Sequence, residues 1–188
     1  MTKSVHPLPV ILVLLYMAAM LAVVSCGSDA RSVSAEPTVG GTVASQRLYT
    51  FADFEAAGFK NSKTYDVTDL PRALAAHYGF WGTDPYNRND FEFRLYASHD
   101  DAVNFGQTLA AERVGKGAKL TEETATWKVG VRDARECHGA QGQMQHAASC
   151  LEAKYYDYMI VGNMVLLCPG NAADVARKNC EQLLAKLH

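Results

Sequence analysis

Two thiols and two imidazoles fall within the stretch "ECHGAQGQMQHAASC", Glu136 to Cys150: Cys137, His138, His146 and Cys150. Thiolate and imidazole are the ligand types that zinc or copper accepts in tetrahedral sites. The spacing is not that of a zinc finger, because neither C-x-x-C nor H-x-x-x-H occurs, and the c-type haem pattern C-x-x-C-H is absent as well. The competing chemistry is oxidation. Outside the cytoplasm two neighbouring thiols pair, and a disulfide has no thiolate to give a metal. The leading expectation is therefore a Cys137–Cys150 staple with no metal and no cofactor, worth about 3 kcal/mol on the chain-entropy view. Copper or zinc held by Cys137, His138, His146 and Cys150 is the alternative, and the compartment decides between them.

The N-terminus speaks to the compartment. Lys3 precedes the apolar run "VILVLLYMAAMLAVV", Val10 to Val24, which ends at Ser25 and Cys26 before the chain turns small and polar. This is signal-peptide anatomy. At about 1.5 Å per residue the run reaches roughly 22 Å, short of the roughly 30 Å of hydrocarbon a permanent span must cross. The residues "VVSC", Val23 to Cys26, resemble the lipobox of bacterial lipoproteins. That resemblance, confined to residues 1–26, implies removal of residues 1–25 and lipidation of Cys26. It also implies an extracytoplasmic chain anchored to a bacterial membrane through acyl groups.

The sequence has 5 cysteines, and lipidation of Cys26 removes the odd one. Cys137, Cys150, Cys168 and Cys180 remain, an even set that an oxidising compartment turns into disulfides. If Cys137 pairs with Cys150, then Cys168 pairs with Cys180. Cys180 lies nine residues beyond Asn171, the expected cap of the last helix, which is about 13 Å along a helix axis. A bridge wants its Cα atoms within roughly 6.8 Å, so this pairing requires the Pro169–Gly170 turn to set the helix start well back from the strand end. Crossed pairing through Cys137 or Cys150 is the alternative.

Charge excludes one class of partner. The chain carries 18 Lys and Arg against 20 Asp and Glu, a net −2. Removing residues 1–25 takes away Lys3 and no acid, which makes the mature chain more negative still. Nucleic acid, which is bound by clustered basic residues, is not an expected partner. From Gly27 to about Gln46 the chain is rich in Ser, Gly, Ala and Thr, too poor in large apolar groups to offset its ordering entropy. The expected organisation is a signal peptide over 1–25, a lipidated N-terminus and tether over 26–46, and one globular domain over 47–188.

Within that domain, Thr50 and Asp53 stand at capping-box spacing before a short helix that stops at Gly58. "VTDLPRALAAHYG" reads as a second helix, with Asp69 or Thr68 as cap, Leu70, Leu74 and Tyr78 on one face and Gly79 as stop. "FEFRLYA" alternates Phe91, Phe93 and Leu95 with Glu92, Arg94 and Tyr96, the pattern of a half-buried strand. A third helix follows, capped by Ser98 and Asp101, with Ala102, Phe105 and Leu109 on its apolar side and Gly115 as its end. "YYDYMIV" and "MVLLC" flank Gly162 and Asn163, a type II′ hairpin signal, and the final helix returns from Asn171. Between Gly115 and Tyr155 neither the strand nor the helix period wins. The fold class expected is α+β, an antiparallel sheet with helices packed on one face, a ferredoxin-like variant.

Most titratable candidates have plain structural explanations. His99, Asp100 and Asp101 suit a helix start, and His77 suits packing. Aromatic residues point more directly to binding: Tyr78, Trp81 and Tyr86 give large contact areas with polar tips, as interfaces and glycan or peptide grooves use. No nucleophile elbow, phosphate-binding glycine pattern, H-E-x-x-H or calcium loop occurs. The expected role is a non-catalytic module anchored at the envelope that binds another envelope protein, a peptide or a glycan. An enzyme of unknown reaction built around the loop from His77 to Asp90 is a further alternative.

Overall fold

A computed structural model describes residues 39–84, 86–136 and 152–187. The apolar leader, Cys26, most of the expected tether, and the Cys137, His138, His146 and Cys150 set lie outside the described residues. In chain order the elements are β1 (Gly41–Val43), α1 (Phe51–Ala56), β2 (Lys60–Tyr65), β3 (Ala73–Asp84) and β4 (Asn87–Tyr96). A helical stretch over 99–111, α2, follows, with a π-helical centre at Ala102–Gly106. The chain continues through β5 (Arg135–Glu136), β6 (Glu152–Ala153), β7 (Tyr155–Val161), β8 (Met164–Pro169) and α3 (Ala173–Leu184). The architecture is α+β, with a six-stranded sheet in the order β1-β7-β8-β4-β3-β2 and a separate β5–β6 pair. Every neighbour in the large sheet is antiparallel except β1 on β7, which is parallel.

Several elements form as the local chemistry dictates. Both the backbone N–H and the hydroxyl of Thr50 donate to Asp53 Oδ2, at 2.7 and 2.8 Å, at the start of α1. Gly58, at φ +88°, ends α1 as Phe59 N–H donates to the Phe54 carbonyl and Gly58 N–H to that of Glu55, a Schellman motif closed by the Phe54–Phe59 ring contact. In the β7–β8 turn Gly162 takes φ +55° while Asn163 does not enter the positive region, as type II′ requires. Asn163 then ties three segments together. Its side chain accepts from Tyr49 N–H at 2.6 Å and donates to the carbonyls of Tyr49 and Tyr96.

The expected second helix is a strand. Asp66 accepts from the backbone N–H and hydroxyl of Thr68, the turn closes through Arg72 at φ +62°, and β3 runs on from Ala73. Leu74, placed on the supposed helix face, is 66% exposed. The "ALAA" preference for helix is local, whereas β3 pairs with β4 from Ala73 to Asp84 and with β2 from Ala76 to Phe80. Its aromatic continuation suits a pleated surface packed on two sides, so tertiary pairing overrides propensity.

Helices cover both faces of the sheet, which corrects the expectation of a single helical face. Phe91, Phe93, Leu95, Met164, Leu166 and Cys168 pack with Phe54 of α1 and with Ala176, Cys180 and Leu183 of α3. The alternate residues Tyr96, Val165, Leu167 and Ile160 pack with Ala102 and Ala110 of α2. Gly106 makes the second contact close: a Cβ there would lie 2.7 Å from Val165 Cγ2. The segment 112–134 extends this second layer through turns. Glu112 accepts from Thr126 and pairs with Lys119, and Arg113 donates to the Trp127 carbonyl. Side chains reaching back from the end of α2 thus organise a stretch in which neither period dominated.

The expected tether overlaps β1. Gly40 N–H donates to Asp157 Oδ1 at 2.6 Å, Arg177 of α3 pairs with Asp157 Oδ2 at 2.7 Å, and Gly41 to Val43 lie alongside Met159 to Val161. Gly40 is needed there, since at φ +93° a Cβ would strike the Tyr158 ring.

Cys168 and Cys180 are bridged, with Cα atoms 5.3 Å apart. The offset is resolved as required. Gly170 packs against Ala176, where a Cβ would come 2.8 Å from the Ala176 nitrogen, so the strand end meets the middle of α3 and Cys180 stands one turn further on. Replacing both residues (Cys168→Ala with Cys180→Ala) is expected to lower the unfolding free energy by about 3 kcal/mol. The readout is the unfolding free energy from urea titration, with a slope equal to or steeper than that of the bridged protein because the unfolded chain is freed, and a much smaller loss would show that packing alone holds α3.

Candidate functional site

Alternation in β4 puts Asp90, Glu92 and Arg94 on the face that meets the second layer, and register extends that face sideways. Lys63, Tyr78, Glu92 and Leu167 are successive cross-strand partners through β2, β3, β4 and β8. The sequence pattern alone places Glu92 and Arg94 on an open face; both are 0% exposed. The 112–134 segment covers them, and Trp127 lies under the Arg94 guanidinium, 4.8 Å from Cζ to the ring centroid, with Arg113 at 5.7 Å.

The two charges meet on their own strand. Arg94 Nε donates to Glu92 Oε1 at 2.8 Å and Nη2 lies 2.7 Å from the same oxygen. Around them stand three tyrosines. Tyr65 donates to Asp133 at 2.7 Å, Tyr78 donates to Asp90 at 2.7 Å, and Tyr155 is fully buried. Lys154 completes the rim, donating to Asp90 at 2.6 Å and to the Tyr78 hydroxyl at 2.8 Å. Burial first, and then the Glu92 charge, push Tyr65 and Tyr155 far above the ordinary phenol range. For Tyr78 the causes are burial and then its bond to Asp90. Burial draws Arg113 downward, opposed by Glu92.

Glu92 Oε2, Arg94 Nη1, Arg113 Nη1, Trp127 Nε1 and the Tyr155 hydroxyl find no hydrogen-bond partner among the described residues. Such groups are ordinarily met by buried water. The arrangement is a framework of fixed charges sealed under an indole. Its rim, Asp90 and Lys154, opens on a cavity of about 390 Å³ that also contacts Asn89, Asn171 and Asn179.

The residues singled out in the sequence are dispersed. Tyr78 and Trp81 are an odd number apart on β3 and point to opposite faces. Trp81 is 6% exposed and its indole donates to the Ala57 carbonyl at 2.9 Å, while Tyr86 is 98% exposed beyond the end of β3. They do not form one surface. His77 stacks on Phe51 at 4.4 Å, and burial lowers its pKa. His99 Nδ1 lies 2.8 Å from the Gly162 carbonyl oxygen, and Asp101 faces Arg72, so these two serve the helix start and its neighbours. The Cys137, His138, His146 and Cys150 set remains outside the described residues. Sequence reasoning missed Glu92, Arg94 and Lys154; the available signal was a Glu-x-Arg pair at strand spacing within an otherwise aromatic strand.

With its α+β sandwich and sealed ionic framework, the chain belongs to the DUF6810 family, a family of unknown function, whose pattern matches residues 50–188. No curated protein and no solved structure matches the chain.

Removing one partner of the buried pair (Arg94→Met) is expected to cost about 3–5 kcal/mol, because Glu92 is left charged and uncompensated. The double replacement, Glu92→Leu with Arg94→Met, is expected to recover most of that loss in urea titrations. The tyrosines generate a second expectation. Their folded pKa values are raised, so the stability they contribute is complete below about pH 10 and is lost as pH rises beyond the unfolded phenol value. Tyrosinate absorbance for Tyr65, Tyr78 and Tyr155 should therefore appear together with unfolding, and a stepwise titration near pH 10 in folded protein would contradict this.

Proposed function

We infer that the protein is a lipid-anchored extracytoplasmic domain that binds a component of the bacterial envelope without catalysing a reaction on it. The observation that carries this reading is the Cys168–Cys180 bridge, whose sulfurs lie in the core between β8 and α3. Cytosolic thiols are held reduced, so a core closed around a disulfide suits an oxidising compartment. The apolar leader and the lipobox-like "VVSC" point to the same side of the membrane. In this reading Cys26 carries the acyl chains, and the partner is an envelope protein, a peptide or a glycan.

The chemistry of the framework supports binding over turnover. Glu92 is committed to Arg94, Asp133 to Tyr65 and Lys63, and Asp90 to Lys154 and Tyr78. Groups locked in pairs hold a surface rigid, whereas a general acid or base needs an exchangeable proton aimed at substrate.

Metabolic labelling with a palmitate analogue tests the anchor. The native chain is expected to incorporate label and to sediment with membranes, and Cys26→Ser should abolish both. Non-reducing peptide mapping is expected to give an acylated N-terminal peptide at Cys26 together with the Cys168–Cys180 pair. An unmodified Met1 with free thiols throughout would overturn the reading.

A further inference from the structure

We propose that the groove between the β3–β4 hairpin and α3 is a binding site for a neutral oligosaccharide. This rests on the envelope-binding reading above and names the class of ligand. Two cavities, of about 390 and 460 Å³, lie side by side and share Asn89, Val175 and Asn179 as lining residues. Ligand sites of this kind typically occupy roughly 300–1,000 Å³.

Five carboxamides line the groove beside charged side chains of both signs. Asn87 and Asn89 come from β4, Asn171 from the turn before α3, and Asn179 and Gln182 from α3 itself. Asn179 spends one N–H on the Pro169 carbonyl, at 2.9 Å, which orients its amide. Among the described residues no hydrogen bond engages the side chains of Asn87, Asn89, Asn171 or Gln182. Each carboxamide offers two donors and one acceptor oxygen in a plane, a set that matches the adjacent hydroxyls and acetamido groups of a sugar. Trp81 borders the second cavity only by its edge, its ring being buried in the core and its indole held by the Ala57 carbonyl.

Charge and topology narrow the ligand. Four acidic and three basic side chains border the groove, so neither polyanion nor polycation is favoured. One mode of peptide binding adds a strand to a sheet edge, and neither outer strand of the large sheet, β1 or β2, contributes to the lining. The groove is also held in shape. Gly82 lets the hairpin strands approach until a Cβ would sit 2.6 Å from the Asn87 carbonyl oxygen, and the Cys168–Cys180 bridge fixes α3 over the strand end.

The test is calorimetric titration of the mature protein, extracted from membranes in a detergent without a sugar headgroup, with chito-, cello-, malto- and xylo-oligosaccharides. Saturable binding of at least one of these is expected. Asn89→Ala and Gln182→Ala should each weaken it by about five- to tenfold, the equivalent of one hydrogen bond, with the urea midpoint unchanged. Absence of binding by all four sugars overturns the proposal, as does binding that neither substitution affects. A tetra-alanine peptide that binds in place of the sugars, with the same dependence on Asn89 and Gln182, assigns the groove to peptides and also overturns it. Failure here leaves the palmitate result at Cys26 standing, so the two readings fail separately.

Discussion

A carboxylate and a guanidinium buried side by side on a central strand constrain everything around them. Glu92 and Arg94 are fully enclosed, and taking such charges from water costs several kcal/mol each unless geometry compensates. The compensation is spread over the fold. Glu92 and Arg94 meet along β4, Trp127 lies beneath the guanidinium, and Arg113 holds the Trp127 carbonyl in place. A sheet with one wet face would not need this. The 112–134 layer, irregular in backbone, is therefore the element that makes the pair buried, and the pair in turn specifies where that layer sits.

The opposite face follows ordinary apolar packing. Phe93 stacks on Phe54, the Phe54–Phe59 contact closes α1, and Cys168 reaches Cys180 beneath α3. The two faces have different energetic characters: one is a close-packed core of aromatic and aliphatic groups, the other joins a second apolar cluster under α2 to the polar framework around Glu92 and Arg94. They meet at the end of the sheet where β4, β8 and α3 converge, and there Asp90 and Lys154 pass from the framework into the wall of the amide-lined groove. A site placed at that junction inherits rigidity from both.

Interactions of short range were legible from residue types. The capping box at Thr50, the stop at Gly58, the Ser98 cap, the Gly162 turn and the alternation of "FEFRLYA" each depend on residues a few positions apart. "VTDLPRALAAHYG" failed as a helix because its outcome depended on β2 and β4, which lie outside that window. The groove was illegible for the same reason: Asn87 and Asn89 are far in sequence from Asn179 and Gln182, and single amides in a chain carry no signal. Tyr78 and Trp81 attracted notice as aromatics, yet their odd spacing on a strand sends them to opposite layers.

Composition and local pattern by themselves determined the mixed α+β class and the β7–β8 hairpin, and they motivate the proposal of export. These are properties of contiguous residues and of counts. Tertiary structure decided which thiols meet within the described residues, on which faces the helices lie, that β1 joins the sheet edge, and that Glu92 and Arg94 are sealed from water. Each of those depends on long-range pairing, where one register or one covering segment reverses what a side chain sees, and no local period encodes that choice.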